Sequence, residues 1–543
     1  MKAWADRLGL RTDPTIFFVS AILMILFVIA LAVAPGPIND LFASARSWIV
    51  SKLGWFFILG VNVWLGFLLF AAFSSYGHIR LGGPQARPEY NGLSWFTMLF
   101  AGGIGTVLMF WGVAEPISHF STPPITGVEP YSEEAANYAI SIAIYHLGLH
   151  TWTIFALPGL AFAYFIYRYK LPVRVSSVFW PLLGDRIHGP IGKTIDVFGI
   201  LGTVFGVAVS LGLGTSQIGA GLEALFGWPD GVPLRIAILS ILTAVAVGSI
   251  VAGLDSGVKL LSNINIAMAV ALMFFVLLTG STLFLLRAIV QTFGLYFQNL
   301  PGLAFWNDMM AGYLPDTDGW GWQGSWTVFY WAWTVTWSPF IGLFVARISY
   351  GRTIREFVLG VLFAPSLFTL VWFAIFGWSA MSIDGIGDAM RSQMGDEAGQ
   401  LSEAVSNSIP LAMFAFFENF PAVQLIQGIA IVIVAIFFAT SSDSASLVVD
   451  MLCSGSPEAG PVHQRVFWGV SEGLVAAILM IMAGDQALNA LQQVITVVGL
   501  PIFVMVSMMV VSMIVAFRRE AIDRVDIDDP VIPESARDTS PGE

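Results

Sequence analysis

The chain has 543 residues, 57% of them hydrophobic and only 11% charged, with a formal net charge of −12; its mean hydropathy is +0.79. A soluble domain of this length is excluded, because repeated apolar runs of about 20 residues are transmembrane helices. The single cysteine, Cys453, excludes an intramolecular disulfide and a cysteine-based metal cluster, and no basic patch offers itself to nucleic acid.

Twelve apolar segments are predicted, near 14–34, 54–73, 94–117, 139–167, 195–224, 233–254, 262–288, 325–348, 357–381, 422–449, 465–484 and 488–517. The first is too long for a typical signal peptide and no small-residue cleavage site follows, so it reads as a retained helix. With a cytoplasmic N-terminus, 19 of the 24 lysines and arginines fall on one side of the membrane. By the positive-inside rule both termini are therefore predicted to be cytoplasmic.

The third segment carries Ala101-Gly102-Gly103-Ile104-Gly105-Thr106-Val107. Glycines there free backbone carbonyls and let a ligand come close. Glu115, near the end of this segment, reads as a cap or loop anchor rather than a proton carrier. The fourth segment holds His146, His150, Trp152 and Phe155. The two histidines have i, i+4 spacing, but no carboxylate or cysteine nearby in sequence completes a metal site. Trp152 and Phe155 share a helix face at mid-membrane.

Residues 289–324 form a long outer connection, after which Trp320, Trp322 and Trp326 fit an interfacial aromatic belt. The eighth segment then places Trp333 and Trp337 four residues apart, deep in an apolar run. Two indoles on one face make a wall suited to a cation without hydrogen-bond donors, such as a quaternary ammonium. Ser338-Pro339 follows, and a mid-helix proline removes a backbone hydrogen bond, so an interruption is expected here. The third and eighth segments each open a run of five. That spacing points to two five-helix repeats, since paired broken helices mark transporter binding sites.

The outer connection 382–421 carries six acids, Asp384 among them, and reads as a solvated face. In the tenth segment Thr440-Ser441-Ser442-Asp443-Ser444-Ala445-Ser446 puts five hydroxyls into an apolar helix. Such oxygens suit a hard cation, with helix back-bonding as the alternative. The tail after Phe517 is short and acidic. Six regions follow: an N-terminus (1–13), two additional helices (14–92), a first five-helix repeat (93–289), an outer connector (290–324), a second repeat (325–517) and the tail (518–543). No nucleotide-binding loop and no catalytic triad, carboxylate pair or zinc-protease pattern appears, so ATP-driven transport and enzymatic activity are not expected.

The run Gly103-x-Gly105 through Phe110-Trp111-Gly112-Val113-Ala114-Glu115-Pro116 resembles a signature of the betaine/choline/carnitine transporter family. So does Trp331-Ala332-Trp333-Thr334-Val335-Thr336-Trp337-Ser338-Pro339-Phe340, continuing into Ala346-Arg347-Ile348-Ser349 and Gly351-Arg352-Thr353. The resemblance covers nearly the whole chain. It implies an all-α membrane protein of 12 transmembrane helices, with a leucine-transporter-type core of two inverted five-helix repeats. It also implies a homotrimer in the bacterial inner membrane, in contact with lipid. The implied activity is uptake of a zwitterionic quaternary ammonium or sulfonium osmoprotectant by Na⁺ symport, with no cofactor beyond the coupling ion.

The family's substrate box corresponds here to Trp152, Phe155, Trp333 and Trp337, with the ligand's carboxylate seeking N–H groups around Gly103, Ile104 and Gly105. The main sodium site corresponds to Ala101, Ile104, Phe437, Thr440 and Ser441. A second would include Thr203 and Phe340, where Val207 replaces a hydroxyl-bearing residue. Further departures are Thr334 for a third tryptophan, Phe155 for a tyrosine, Leu147 for a tryptophan, and Val107 for a glycine. Val107, where choline-type members carry an aspartate, argues against choline. A sodium-independent exchanger, or a dimethylsulfoniopropionate carrier, is the alternative. A channel or receptor for the same ligands is more remote.

Overall fold

The structure is a computed structural model, and it describes residues 1–101, 105–252, 255–310, 321–484 and 487–522. The long helices run, in chain order, α1 (Pro14–Val33), α2 (Pro35–Phe73), α3 (Gly92–Ala101), α4 (Gly105–Ser121), α5 (Glu133–Leu147), α6 (Leu149–Phe162), α7 (Pro190–Phe226), α8 (Val232–Ala252), α9 (Asp255–Thr279), α10 (Thr282–Ala304), α11 (Thr327–Ile348), α12 (Ile354–Asp384), α13 (Val423–Ser454), α14 (Val462–Ala483) and α15 (Ala487–Ile522). Among the described residues the only sheet-like pairing is one isolated bridge, Arg80 with Thr353. Among the described residues eleven spans are long and apolar enough to cross a membrane. The third predicted segment falls instead on α3 and α4, each short; Gly102, Gly103 and Ile104 lie outside the described residues.

Local chemistry sets several boundaries. Asp13 starts α1 by accepting the N–H groups of Thr15 (2.9 Å) and Ile16 (3.2 Å), with Pro14 in the first turn. The second helix begins at Pro35, not near 54. Pro35 and Pro37 lie at its start, where a missing N–H costs nothing, so the amphipathic stretch with Arg46 and Lys52 joins the apolar one. At 39 residues, α2 is about 58 Å long, far more than the hydrocarbon core requires.

The predicted fourth segment is two helices. The chain breaks at Gly148 (φ −100°, ψ −123°), and α6 then runs into a π-helical turn at Ala163–Arg168. The expected interruption at Pro339 does not occur, and α11 runs unbroken through it. Close packing confines that helix on both sides. A β-carbon at Gly342 would stand 3.0 Å from Pro158 Cβ and 3.1 Å from the Gly159 nitrogen, and one at Gly499 would stand 2.7 Å from the Ala332 carbonyl oxygen. The seventh segment stops at Thr279 rather than 288. The Gly280 N–H closes it on the Val276 carbonyl (3.0 Å), and a new helix, α10, starts at Thr282 across the predicted connector boundary. Asp384 also departs from its predicted solvated setting: it is buried, and the backbone N–H (2.9 Å) and hydroxyl of Ser402 both bond to it.

The interior is set by burial. The spans Glu133–Arg168 and Gly321–Ile348 are each 94% buried and Pro190–Phe226 is 89% buried, against 28% for Val232–Ala252. Thus α5, α6, α7 and α11 form the centre, apolar all round as buried helices are.

Candidate functional site

A small cleft opens at this centre. Its lining comprises Val107 from α4, Leu147 from α5, Thr151 and Phe155 from α6, and Trp333, Thr334 and Trp337 from α11. Thr151 and Phe155 are spaced by four on α6, as are Trp333 and Trp337 on α11, so each pair lies on one ridge of its helix, and Leu147 joins from the end of α5. Among the described residues no ionisable side chain lines the cleft.

The rings are held in place. Trp333 donates its indole N–H to Ser210 Oγ on α7 (3.0 Å) and stacks on Phe329, with centroids 5.6 Å apart and planes at 13°. Trp337 packs against Gly206, where a β-carbon would lie 2.8 Å from its Cδ1. Its own indole N–H is buried without a protein acceptor. The Thr151 hydroxyl donates to the His146 carbonyl (2.5 Å), satisfying a backbone group beside the Gly148 break. Trp152 is outside the lining. It is fully buried and meets Phe155 edge-on, with centroids 5.6 Å apart.

Of the residues matched to the main sodium site, Gly105's neighbour across the gap is Phe437: a β-carbon on Gly105 would stand 2.0 Å from Phe437 Cζ. Thr440 donates its hydroxyl to the carbonyls of Ile436 (2.8 Å) and Phe437 (3.1 Å). Ser441 is half-buried on the next position. Ile104, like Gly103, lies outside the described residues, and of Ala101 only the backbone is described, at the end of α3. Thr203 is fully buried and donates to the Gly199 carbonyl (3.0 Å), one turn before Gly206 on α7. Phe340 is buried with its ring 5.9 Å from that of Trp337, and Val207 is buried as well.

Sequence reasoning missed a second polar constellation. Glu115 is neither a cap nor a loop anchor: it is fully buried inside α4. Its Oε1 lies 2.6 Å from His146 Nδ1 and 3.4 Å from His119 Nε2, and its Oε2 accepts the Tyr330 hydroxyl (2.7 Å). The carboxylate judged missing beside His146 is therefore present, supplied by another helix. His150 turns away toward Asn62 Oδ1 (3.3 Å) and lies over Trp331. The i, i+4 pair Glu115–His119 was the available signal.

A family model described as betaine/carnitine/choline family transporter matches residues 15–522. The chain belongs to this family. The ectoine/glycine betaine/proline transporter of Corynebacterium glutamicum is 45% identical over 95% of this chain and 82% of its own length. The glycine betaine/proline/choline transporter of Vibrio parahaemolyticus is 37% identical over 93% and 90%. The glycine betaine transporter OpuD of Bacillus subtilis is 37% identical over 90% and 91%. The chain is thus a multi-pass membrane transporter of this family, with helices making up its described membrane-spanning residues, and not an enzyme.

Proposed function

We propose that this transporter imports a net-neutral zwitterion with an onium group, of the glycine betaine kind, by Na⁺ symport. The observation that carries the reading is the lining of the cleft: three aromatic rings, two hydroxyls and no ionisable side chain among the described residues. A net cation buried there would lack a counter-charge, which is costly in an apolar interior. A zwitterion brings its own. Its onium group sits against the indoles of Trp333 and Trp337, and its carboxylate takes N–H groups at the start of α4 near Gly105.

Thr334 makes this wall less aromatic and more polar than a three-tryptophan box. That supports a wider range of zwitterions, ectoine and proline included, as the name of the Corynebacterium relative records for that protein. Choline, named for the Vibrio relative, fits less well, because Val107 supplies no counter-charge.

Sodium coupling rests on the Thr440 hydroxyl and its neighbour Ser441. Thr440 commits its proton to the helix carbonyls, which leaves its oxygen lone pairs for a cation. Na⁺ at this position braces the start of α4 against α13 and couples the ion to closure around the ligand. The proposed assembly is a homotrimer of chains with two inverted five-helix repeats, both termini cytoplasmic, in a bacterial inner membrane.

The test is uptake of labelled glycine betaine into proteoliposomes with and without an inward Na⁺ gradient. Uptake that needs the gradient is expected. Uptake that instead needs internal substrate would replace symport by exchange.

A further inference from the structure

We propose that Glu115, His119 and His146 form a proton-binding site between the cleft and the Ser121 end of α4, and that its occupancy governs the transport rate. Only the second half rests on the transport reading; the first concerns the protein itself.

Three helices meet here: α4 brings Glu115 and His119, α5 brings His146, and α11 brings Thr327 and Tyr330. Glu115 is held by three groups, His146 Nδ1 at 2.6 Å, Tyr330 Oη at 2.7 Å and His119 Nε2 at 3.4 Å. His146 Nε2 lies 2.9 Å from Thr327 Oγ1, which fixes the ring. All of these side chains are buried. Ionisable side chains inside a membrane are costly and mark functional positions, proton relays among them.

Among the described residues the surroundings supply no permanent positive charge. The other titratable groups facing the cluster are Tyr145 on α5, whose ring lies 5.3 Å from His146, and His150 on α6, whose ring lies 4.7 Å from Tyr145. Beyond Tyr145 stands Tyr296 on α10, close enough for the two hydroxyls to interact. The guanidinium of Arg46 on α2 bonds to Ser325 (3.2 Å), two residues before Thr327. Among the described residues no lysine or arginine pairs with Glu115. An ionised carboxylate enclosed this way needs a compensating proton on itself or on an imidazole. One proton makes the acid and its histidines neutral as a group. A second makes them positive, and His119 Nε2, 3.4 Å from Glu115 Oε1, is where it goes.

The same donor set has the composition of a zinc site. The 2.6 Å between Glu115 Oε1 and His146 Nδ1 is a hydrogen-bond length, however, shorter than two ligands keep around one ion, and it favours the proton.

The link to transport is position. Tyr330 precedes Trp333 by three residues on α11, and His146 immediately precedes Leu147, so the cluster and the cleft share walls. The proton number sets how firmly α4, α5 and α11 are tied at this end.

Two measurements on the purified full-length protein test this. Infrared difference spectra between acid and alkaline pH should contain a protonated-carboxyl band that Glu115→Gln removes; this arm needs no substrate. Glycine betaine uptake at equal pH on both sides and a fixed Na⁺ gradient should then vary with pH along a single-proton curve, with a limiting slope of about tenfold per unit. Glu115→Gln keeps the acceptor for Tyr330 and should flatten the curve, whereas His119→Gln should shift its midpoint. If Glu115→Gln does not fold, His119→Gln carries the test alone. A flat wild-type curve, or variant curves that superimpose on it after scaling, would overturn control of transport. A spectrum unchanged by Glu115→Gln would overturn the proton site. So would stoichiometric Zn²⁺ retained in equilibrium dialysis by wild type and not by that variant, which would assign the site to a metal.

Discussion

Replacing Gly105 with alanine probes the junction on which the proposed coupling depends. The helix geometry at Gly105 accepts any residue, so the effect is one of space alone. The added carbon would stand 2.0 Å from Phe437 Cζ, 2.3 Å from Cε1 and 2.6 Å from Cε2. The whole ring must retreat until those distances reach about 3.4 Å, the edge of ordinary contact. Phe437 is only 6% exposed, so the retreat displaces neighbours on α13. Overpacking of this kind costs about 1–3 kcal/mol. Thermal unfolding in detergent should therefore drop for Gly105→Ala, and apparent Na⁺ affinity should weaken, because α4 is pushed off the helix that carries Thr440. The double variant Gly105→Ala/Phe437→Leu should recover much of both losses, since the ring that clashes is gone. A stable Gly105→Ala, or a double variant whose two effects simply add, would show that this contact does not join α4 to α13 and would refute the reasoning.

Trp337→Leu should weaken glycine betaine binding by about 1–2 kcal/mol, the worth of a desolvated cation–π contact; unchanged affinity in a direct binding assay removes Trp337 from the box. Ser210→Ala takes away the acceptor of the Trp333 indole and should cost about 1 kcal/mol of binding, with a smaller effect for Ser210→Thr. Thr334→Trp should fill part of the cleft and narrow the substrate range, measured as lost competition by ectoine and proline while betaine still competes. At Asp13, burial works to raise the carboxyl, but the hydrogen bonds from Lys193 and the Ile16 N–H, with the charges of Lys193 and Arg174, outweigh it and hold it below its ordinary 3.8. The ionised form therefore stabilises the fold at neutral pH, and that stability is lost as pH falls through the lowered native value. Asp13→Asn should accordingly unfold earlier than wild type at pH 7 and converge with it in acid.

The sequence carried the elements better than their rotations. Trp333 and Trp337 share the cleft wall because i, i+4 positions lie on one face of a continuous helix, and α11 continues through Pro339. Phe155 was equally legible. Trp152 was not, because residues 152 and 155 are neighbours on the surface of α6 just as 151 and 155 are, and spacing cannot choose between those ridges. Packing against α11 turns the Thr151–Phe155 ridge inward and leaves Trp152 outside the lining. Gly280 marks a helix boundary that hydropathy blurs, since apolar residues continue past it, whereas the helix start at Pro35 is hidden by the polar residues of the amphipathic stretch it opens. The Glu115 cluster was hidden for a different reason: its members come from three helices, and a carboxylate 31 residues from its histidine has no local pattern to announce it.

A binding cleft with no formal charge in its described wall has a further consequence for the conditions in which it works. Attraction between opposite charges weakens as salt accumulates, because mobile ions shorten its reach to about 10 Å at 0.1 M and about 3 Å at 1 M. Ring faces, hydroxyls and backbone N–H groups in a buried site act at contact distance, with no mobile ions between the partners to screen them. The grip on ligand should therefore hold nearly constant while the surrounding salt varies over an order of magnitude. Any response of uptake to salinity must then arise from the ion gradient or from the helices that open and shut, and not from the cleft itself.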